Sequence, residues 1–518
     1  MSTMAEMLWS TMLQHRDRPA VLDGERQWTY GEFVERVQRA AGALQGLGLE
    51  PGNRFGVISP NTVENAVLLY GAYWSGTVPV PVNVRLAPPE IREVLEDAQV
   101  SRLFVDSAFR AMLEDETLAP WRDGAILVRA SGEEGSCEAR FAEAGFVPMH
   151  PGLPGDEAIL LYTGGTTGRS KGVPLTHRNI LSDALQCAPA FGPVRDDVYL
   201  HAAPMFHSAD LLGTIWFLFG GAHAYMPAFS PAGLLETIER LGITFTMLPP
   251  TMIIMALQVP ELAEYDLSSL RGLIYGASPM AVEWIRRTTE ALPGVELHQG
   301  YGLTETSPLL TILTWEAHQE ALRTGALERL KSCGRPIPGV ELRLVDEQGA
   351  EVPTGEGGEV AARGANVTQG YLNRDEENRR TIRNGWFHTG DLGRRDEEGF
   401  VYLLDRKKDM VVSGGENIYT SEVEAVLYRH AGVHEAAVIG VPDETFGEAL
   451  LAVIVPAEGV RLTPEEIIEH CRGKIGGYKI PKRIRFEEAL PKSALGKVLK
   501  TELRKRSVSY THLRAHET

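Results

Sequence analysis

Strand-like and helix-like segments alternate along most of this chain, and that alternation limits its fold more than any other feature. Tyr30 to Leu47 carries Phe33, Val37, Ala40, Ala41 and Leu44 on one side, the spacing of an amphipathic helix. Phe55 to Ile58 reads as a short buried strand, Ser59-Pro60-Asn61 as a turn, and Glu64 to Ser75 as a second helix. Val78 to Val82 and Pro89 to Asp97 repeat the pair. Short strands separated by helices of this length argue for parallel pairing with helical crossovers. From about Pro336 the pattern changes. Val340 to Val345, Gly358 to Ala362 and Gly399 to Leu404 are strands separated by turns rather than helices, which suggests an antiparallel subdomain.

The segment Asp405-Arg406-Lys407-Lys408-Asp409 has no apolar side chain. Beyond it, Ser421 to Tyr428 and Pro464 to Gly473 read as helices, and Glu435 to Val441 and Leu450 to Pro456 as strands. The expected class is α/β: a large N-terminal domain of parallel α/β subdomains plus a small antiparallel subdomain, then a small mobile α+β C-terminal domain. The expected division is 1–407 and 408–506. Residues 507–518 show no periodicity or capping logic and are read as a tail, disordered or a scar, outside the fold.

At 518 residues the chain is too long for one ordinary core. Its net charge of −18 gives it no global attraction to nucleic acid or to an anionic membrane. One stretch runs against that sign. Residues 472–506 hold twelve lysines and arginines against three glutamates, which suggests a partner carrying phosphates. Cys137, Cys187, Cys333 and Cys471 lie far apart with no zinc-like spacing, so neither a disulfide framework nor a structural zinc is expected. Met1 to Arg16 has no signal-peptide pattern, and the longest apolar run, Leu211 to Ala222, is too short to span a bilayer. A cytoplasmic protein is the expectation, with a homodimer left open.

The most specific segment follows the apolar strand Ala158 to Tyr162. Thr163-Gly164-Gly165-Thr166-Thr167-Gly168-Arg169-Ser170-Lys171-Gly172 packs four glycines, three threonines, a serine and two basic residues into ten positions. Glycines let backbone N–H groups close on an anion, hydroxyls add donors, and lysine adds charge. The segment reads as a phosphate-cradling loop, although the spacing is not that of a Walker A motif.

This loop resembles that of the adenylate-forming superfamily, which includes acyl-CoA synthetases, peptide-synthetase adenylation domains and beetle luciferases. It departs from the family pattern at Gly164, where serine is usual, and at Ser170, where proline is usual. The resemblance continues through Trp28-Thr29-Tyr30 and Val80 to Leu86, and covers almost the whole chain. Gly300-Tyr301-Gly302-Leu303-Thr304-Glu305 resembles a second core motif. It implies that Glu305 holds Mg²⁺ against phosphates, that Thr304 bonds near the α-phosphate, and that Tyr301 stacks on adenine beside Gly302. A carboxylate among phosphates needs such a cation between them. Gly276-Ala277-Ser278-Pro279 is similar to the segment flanking adenine and the acyl group, with Ser278 where alanine is commoner. Trp386 to Asp391 resembles a third motif, whose aspartate, here Asp391, accepts from the ribose hydroxyls with Arg406 assisting. Lys408 falls at the family's hinge, and Ser413-Gly414-Gly415-Glu416-Asn417 on the strand that enters the site for thioester formation. Pro491 to Lys497 resembles the C-terminal motif whose last lysine bridges the substrate carboxylate and the α-phosphate. Lys497 is thus the implied adenylation catalyst. Phe446 and Tyr478 align with positions that contact the CoA adenine.

His207, in Pro204-Met205-Phe206-His207, sits where acyl-CoA synthetases line the mouth of the acyl pocket. Peptide-synthetase domains carry an aspartate there, and its absence argues against an α-amino acid. Asp210 lies three residues on and leaves that argument open. Leu211 to Phe219 and Phe245 to Met255 fit a hydrophobic pocket and a plain core equally well. The implied activity is an ATP-, Mg²⁺- and coenzyme A-dependent carboxylic acid:CoA ligase, most like those for medium- or long-chain fatty acids. Aryl acids, a carrier-loading acyl-AMP ligase, a silent nucleotide-binding relative and a luciferase-like oxygenase are the alternatives.

Overall fold

The computed structural model describes residues 2–24, 26–130, 132–163, 170–406, 409–413, 416–443, 447–472, 474–492 and 498–514. The chain forms two compact units, Met1–Leu342 with Ala362–Phe387, and Arg343–Ala361 with His388–Thr518.

The first unit is α/β. Its larger sheet has nine strands among the described residues, and six run parallel in the order Glu296–Tyr301, Gly272–Gly276, Phe245–Leu248, Val198–His201, Ala222–Tyr225 and Pro19–Asp23. Antiparallel strands finish both edges: Thr311–Leu313 and Arg335–Pro336 on one side, Arg26–Thr29 on the other. A second sheet, Val78–Pro81, Arg54–Ile58, Arg102–Asp106 and Ile126–Val128, is wholly parallel. The expected alternation is therefore realised twice. The strand before the glycine-rich loop instead turns back on itself, as Glu157–Thr163 pairs antiparallel with Lys171–Thr176.

Local chemistry explains why the helices stand where they do. Thr29 accepts from the Glu32 amide while the Glu32 carboxylate accepts from the Thr29 amide, a reciprocal cap that starts the helix Tyr30–Gly46. Its inner face buries Phe33, Val37, Ala40, Ala41 and Leu44, the residues of the apolar stripe. Tyr30 donates to the Gly221 carbonyl at 2.7 Å, so the Trp28-Thr29-Tyr30 motif is a structural joint. Thr176 and Asn179 cap the helix His177–Phe191 in the same way.

In the second unit, Val401–Arg406 pairs antiparallel with the strand carrying Asp391, which lies opposite Arg406. A further sheet takes the order Glu416–Ile418, Val411–Ser413, Gly447–Pro456 and Val433–Asp443, with Arg483–Phe486 parallel to Gly447–Pro456. Because side chains alternate along a strand, its two longest strands, Val433–Asp443 and Gly447–Pro456, bury both faces. Ala436, Val438, Leu450, Ala452 and Ile454 pack with residues of the helices Thr420–Leu427 and Pro464–Cys471. Ala437, Ile439, Leu451 and Val453 pack with Leu503.

Two details of the C-terminal part were not visible in the sequence. The helix Lys500–Arg514 continues through residues read as tail, and Ser507 donates to the Leu503 carbonyl and accepts from Arg485. The basic stretch is also largely matched by acids elsewhere in the unit. Lys500 pairs with Glu424 and Arg504 with Asp409, both at 2.8 Å, while Lys479 pairs with Glu422 and Lys492 with Glu435. A window count of charge overlooks these partners because they lie far away in sequence.

Candidate active site

The glycine-rich loop is closed at its base by the register pair Thr163↔Lys171. Gly165, Thr166, Thr167 and Gly168 lie outside the described residues. Lys171 is buried. Its ammonium is ion-paired with Glu377 and sits 5.1 Å from the centre of the Tyr371 ring.

Strands Gly272–Gly276 and Glu296–Tyr301 end side by side, with Gly276 opposite Gly300. In a parallel sheet the carboxyl ends of the strands are where ligands bind. Two glycines there are required by space. A Cβ on Gly276 would lie 2.5 Å from the Gly300 carbonyl oxygen, and one on Gly302 would lie 2.0 Å from that of Pro308. Ala277, past the first strand, is exposed with φ +64, Ser278 is half-buried, and Tyr301 is buried at the end of the second.

Thr304 and Glu305 follow in a single tight turn, Thr304–Thr306, and both are buried. Thr304 Oγ1 and Ser208 Oγ share a hydrogen bond of 3.1 Å. Glu305 Oε1 accepts from the Tyr371 hydroxyl at 2.7 Å, and its carbonyl accepts from the Thr368 amide. A clasp behind the turn fixes it. Asn366 donates from Nδ2 to the carbonyls of Thr306 at 3.0 Å and Leu309 at 2.7 Å, and Asp183 accepts from the Leu309 amide at 3.1 Å. Burial pushes the Asp183 carboxyl well above the usual carboxylate range.

Glu305 Oε2 has no hydrogen-bond partner among the described residues. No cluster of three acids, histidines or cysteines that could hold a metal exists among them either. A lone buried carboxylate with one oxygen to offer fits Mg²⁺ bound through one protein ligand plus substrate phosphates.

His207 precedes Ser208 and so stands at the same place. Its Nδ1 accepts from the Ala209 amide at 3.2 Å. Burial holds its pKa at about 4, and the imidazole is neutral at pH 7. Asp210 is already engaged through one oxygen: His201 Nδ1 donates to its Oδ1 at 2.6 Å, and His201 Nε2 lies 2.9 Å from His223 Nδ1. Leu212, Ile215, Trp216 and Phe217, within the apolar run Leu211 to Phe219, are buried. Trp216 stacks on Tyr199 and Phe217 on Phe33, so core packing accounts for that run. Of the run Phe245 to Met255, Phe245 and Leu248 are buried while Met255 is exposed.

The first unit thus brings together Lys171, Thr304, Glu305 and His207. Thr163, Gly276, Ala277, Ser278, Tyr301 and Gly302 belong to this unit as well, while Asp391, Arg406 and Tyr478 belong to the second. Asp391 is buried there, and its amide donates to Thr389 Oγ1 at 3.1 Å. Arg406 contributes its backbone to the strand opposite. Tyr478 is exposed in the turn Gly477–Lys479, with the Lys479 ammonium 5.6 Å from its ring centre. Lys408, Gly415, Phe446 and Lys497 lie outside the described residues. The flanks of Lys497 are fixed, since Lys492 bridges Val498 and the Leu499 amide donates to the Pro491 carbonyl.

Sequence reasoning missed Ser208, Tyr371, Glu377, Asn366 and Asp183. One signal was present for Asp183, an acid on the buried face of an amphipathic helix with Ile180, Ala184 and Cys187. The others contact the site only through the tertiary fold.

The sequence profile of the AMP-binding enzymes matches residues 8–372, and that of the AMP-binding enzyme C-terminal domain matches residues 422–497. Feruloyl-CoA synthase of an Amycolatopsis species is 37% identical over 491 residues, 94% of this chain and 95% of that protein. Long-chain-fatty-acid–CoA ligase FadD13 of Mycobacterium tuberculosis is 35% identical over 477 residues, 92% of each. The crystal structure of ATP-bound MatB from Rhodopseudomonas palustris aligns with a TM-score of 0.88 at 30% identity, covering 97% of this chain and 98% of that one. With both profiles matched in order and relatives aligned over nearly their full lengths, the chain belongs to the AMP-binding enzymes of the adenylate-forming superfamily, among its acyl-CoA ligase homologues.

Proposed function

We propose that this enzyme, an AMP-forming acid–CoA ligase, activates a medium- or long-chain fatty acid as its acyl-adenylate and transfers the acyl group to coenzyme A. A carboxylate is a poor acyl donor because oxide would have to leave. Attack of its oxygen on the α-phosphorus of ATP releases pyrophosphate and turns the leaving group into AMP. The CoA thiolate then attacks the acyl carbon, a C–S bond forms, and AMP departs. Positioning and charge neutralisation carry such a reaction.

In this reading the backbone and hydroxyls of Thr163, Gly165, Thr166, Thr167 and Gly168 cradle the phosphates with Lys171, and Thr304 bonds near the α-phosphate. Glu305 would hold Mg²⁺, whose charge offsets that of the departing pyrophosphate. Tyr301, Gly276, Ala277 and Ser278 line the adenine and acyl side, while Asp391 and Arg406 hold the ribose. Lys497 bridges carboxylate and α-phosphate during adenylation. Lys408 is the hinge of a division at residues 407 and 408, and Gly415, Phe446 and Tyr478 serve the CoA step.

The observation that carries the substrate class is the state of the His207–Asp210 segment. A neutral His207 where peptide-synthetase domains carry an aspartate, with Asp210 engaged by His201 through Oδ1, disfavours recognition of an α-amino group. An aryl acid is the second reading, favoured by the similarity to a feruloyl-CoA synthase. Incubation with ATP, Mg²⁺ and a panel of fatty, aryl and amino acids, following AMP with and without CoA, tests both. CoA-dependent AMP release with C8 to C16 fatty acids is expected. Release with aryl acids alone would select the second reading, and release with amino acids would refute the argument from Asp210.

A further inference from the structure

Lys171 closes the loop proposed to meet the nucleotide's phosphates, and it already has a partner. The ion pair with Glu377 is sheltered, with side-chain exposures of 10% and 19%. Glu377 stands in the helix Asp375–Thr381, far from the glycine-rich loop in sequence. It also faces a second cation, Arg380, whose Nη2 lies 3.5 Å from the same carboxylate oxygen. The Tyr371 ring beneath the ammonium donates its hydroxyl to Glu305, so one side chain braces both the lysine and the acid across the site.

We propose that Glu377 is a positioning residue that holds Lys171 in place until a nucleotide phosphate displaces it. This inference rests on the reading that Lys171 binds ATP phosphates. Two features make the exchange workable. A sheltered ammonium is costly without a counter-charge, so a carboxylate that leaves as phosphate arrives keeps the lysine paired throughout. Glu377 in turn keeps Arg380 as a partner at the more exposed end of the same helix. The carboxylate competes with ATP for the lysine, and its removal strengthens nucleotide binding. An ordinary scaffolding role would weaken binding instead.

The test is a double-mutant cycle on the full-length enzyme with Glu377→Gln and Lys171→Met. Steady-state KM and kcat for ATP are read together with the Kd of a non-hydrolysable ATP analogue in Mg²⁺. Glu377→Gln is expected to lower the KM and the analogue's Kd by about five-fold, the scale of one part-buried ion pair, with kcat within about two-fold. In the Lys171→Met background the same substitution is expected to shift Kd by less than about two-fold. An unchanged or higher Kd for Glu377→Gln, with Lys171→Met still weakening the analogue, would overturn the inference alone. A full shift persisting in the Lys171→Met background would also overturn it, by assigning the effect to through-space repulsion. Analogue binding indifferent to Lys171→Met would overturn the site reading and the inference together. Thermal midpoints within about 2 °C of the parent identify variants that fold as the parent does.

Discussion

Asn366 is the residue on which the shape of the Glu305 turn depends most. It is fully buried, and its single amide nitrogen serves the carbonyls of Thr306 at 3.0 Å and Leu309 at 2.7 Å. Asn366→Ala removes both bonds and a longer one to Asp183 Oδ1 at 3.4 Å, and leaves two buried carbonyls without them, offset in part by loss of the buried Oδ1 that has no partner among the described residues. A hydrogen bond contributes about 1 kcal/mol net, and an orphaned buried acceptor costs about 1–3 kcal/mol. The expected loss is therefore about 2–4 kcal/mol, enlarged slightly by the small cavity. Urea unfolding followed by tryptophan fluorescence measures it, with Ser101→Ala as a control. The Ser101 hydroxyl donates to the Arg54 carbonyl at an exposed position, and its loss is expected to cost about 0.5 kcal/mol. Adenylation should suffer beyond the stability loss, because Glu305 lies one residue before Thr306. At a temperature where the variant is fully folded, the KM for MgATP should rise about ten-fold. A loss below about 0.5 kcal/mol, or normal MgATP kinetics in a destabilised protein, would refute the idea that this clasp shapes the turn.

Three further outcomes are expected. Burial holds the His318 pKa at about 4, its Nδ1 meeting the Thr314 carbonyl and its Nε2 the Tyr275 hydroxyl. The unfolded chain takes up this proton first, near pH 6.5, so stability falls as the pH drops from 6.5 towards 4. Replacing His318 with Gln should remove about 2 kcal/mol of that fall between pH 6.5 and 4.5, and an unaltered stability–pH curve would show that the group does not titrate as stated. Lys497→Ala should cut adenylation by about a thousand-fold, a scale set by loss of a transition-state charge contact, yet spare thioester formation from supplied acyl-AMP. Equal loss in both half-reactions would remove its assigned role. Lys408→Pro should spare adenylation and abolish the CoA-dependent step, and normal overall turnover would mean that the hinge lies elsewhere.

Local physics made much of the fold readable. The helix Tyr30–Gly46 was legible because stripe and cap are both written within a few residues. The strands Arg54–Ile58 and Val78–Pro81 were legible as apolar runs bounded by turns. The site divides along the same line. Lys171 lies in a loop whose composition signals phosphate chemistry, and Thr304 and Glu305 lie in a motif known by its resemblance to the family's. Ser208, Tyr371 and Glu377 reach those residues, and Asn366 the carbonyls of Thr306 and Leu309 beside them, across separations of 57 to 206 positions, and no short window contains both partners. The ion pairs of residues 472–506 were hidden for the same reason, since Glu422, Glu424, Glu435 and Asp409 lie outside that window. Asp210 marks the opposite case. Its helical spacing from His207 left two roles open, and the bond from His201 engages one of its two oxygens.

The central claim is a two-step reaction through an acyl-adenylate, and a single-turnover experiment addresses it most directly. Excess enzyme is mixed with α-³²P-labelled ATP, Mg²⁺ and a fatty acid, quenched in acid, and resolved before and after CoA is added. The account predicts that label accumulates as acyl-AMP without CoA and passes to free AMP when CoA arrives, with an equal amount of acyl-CoA formed. Label that never leaves ATP without CoA, or acyl-AMP that persists after CoA is added, would contradict it.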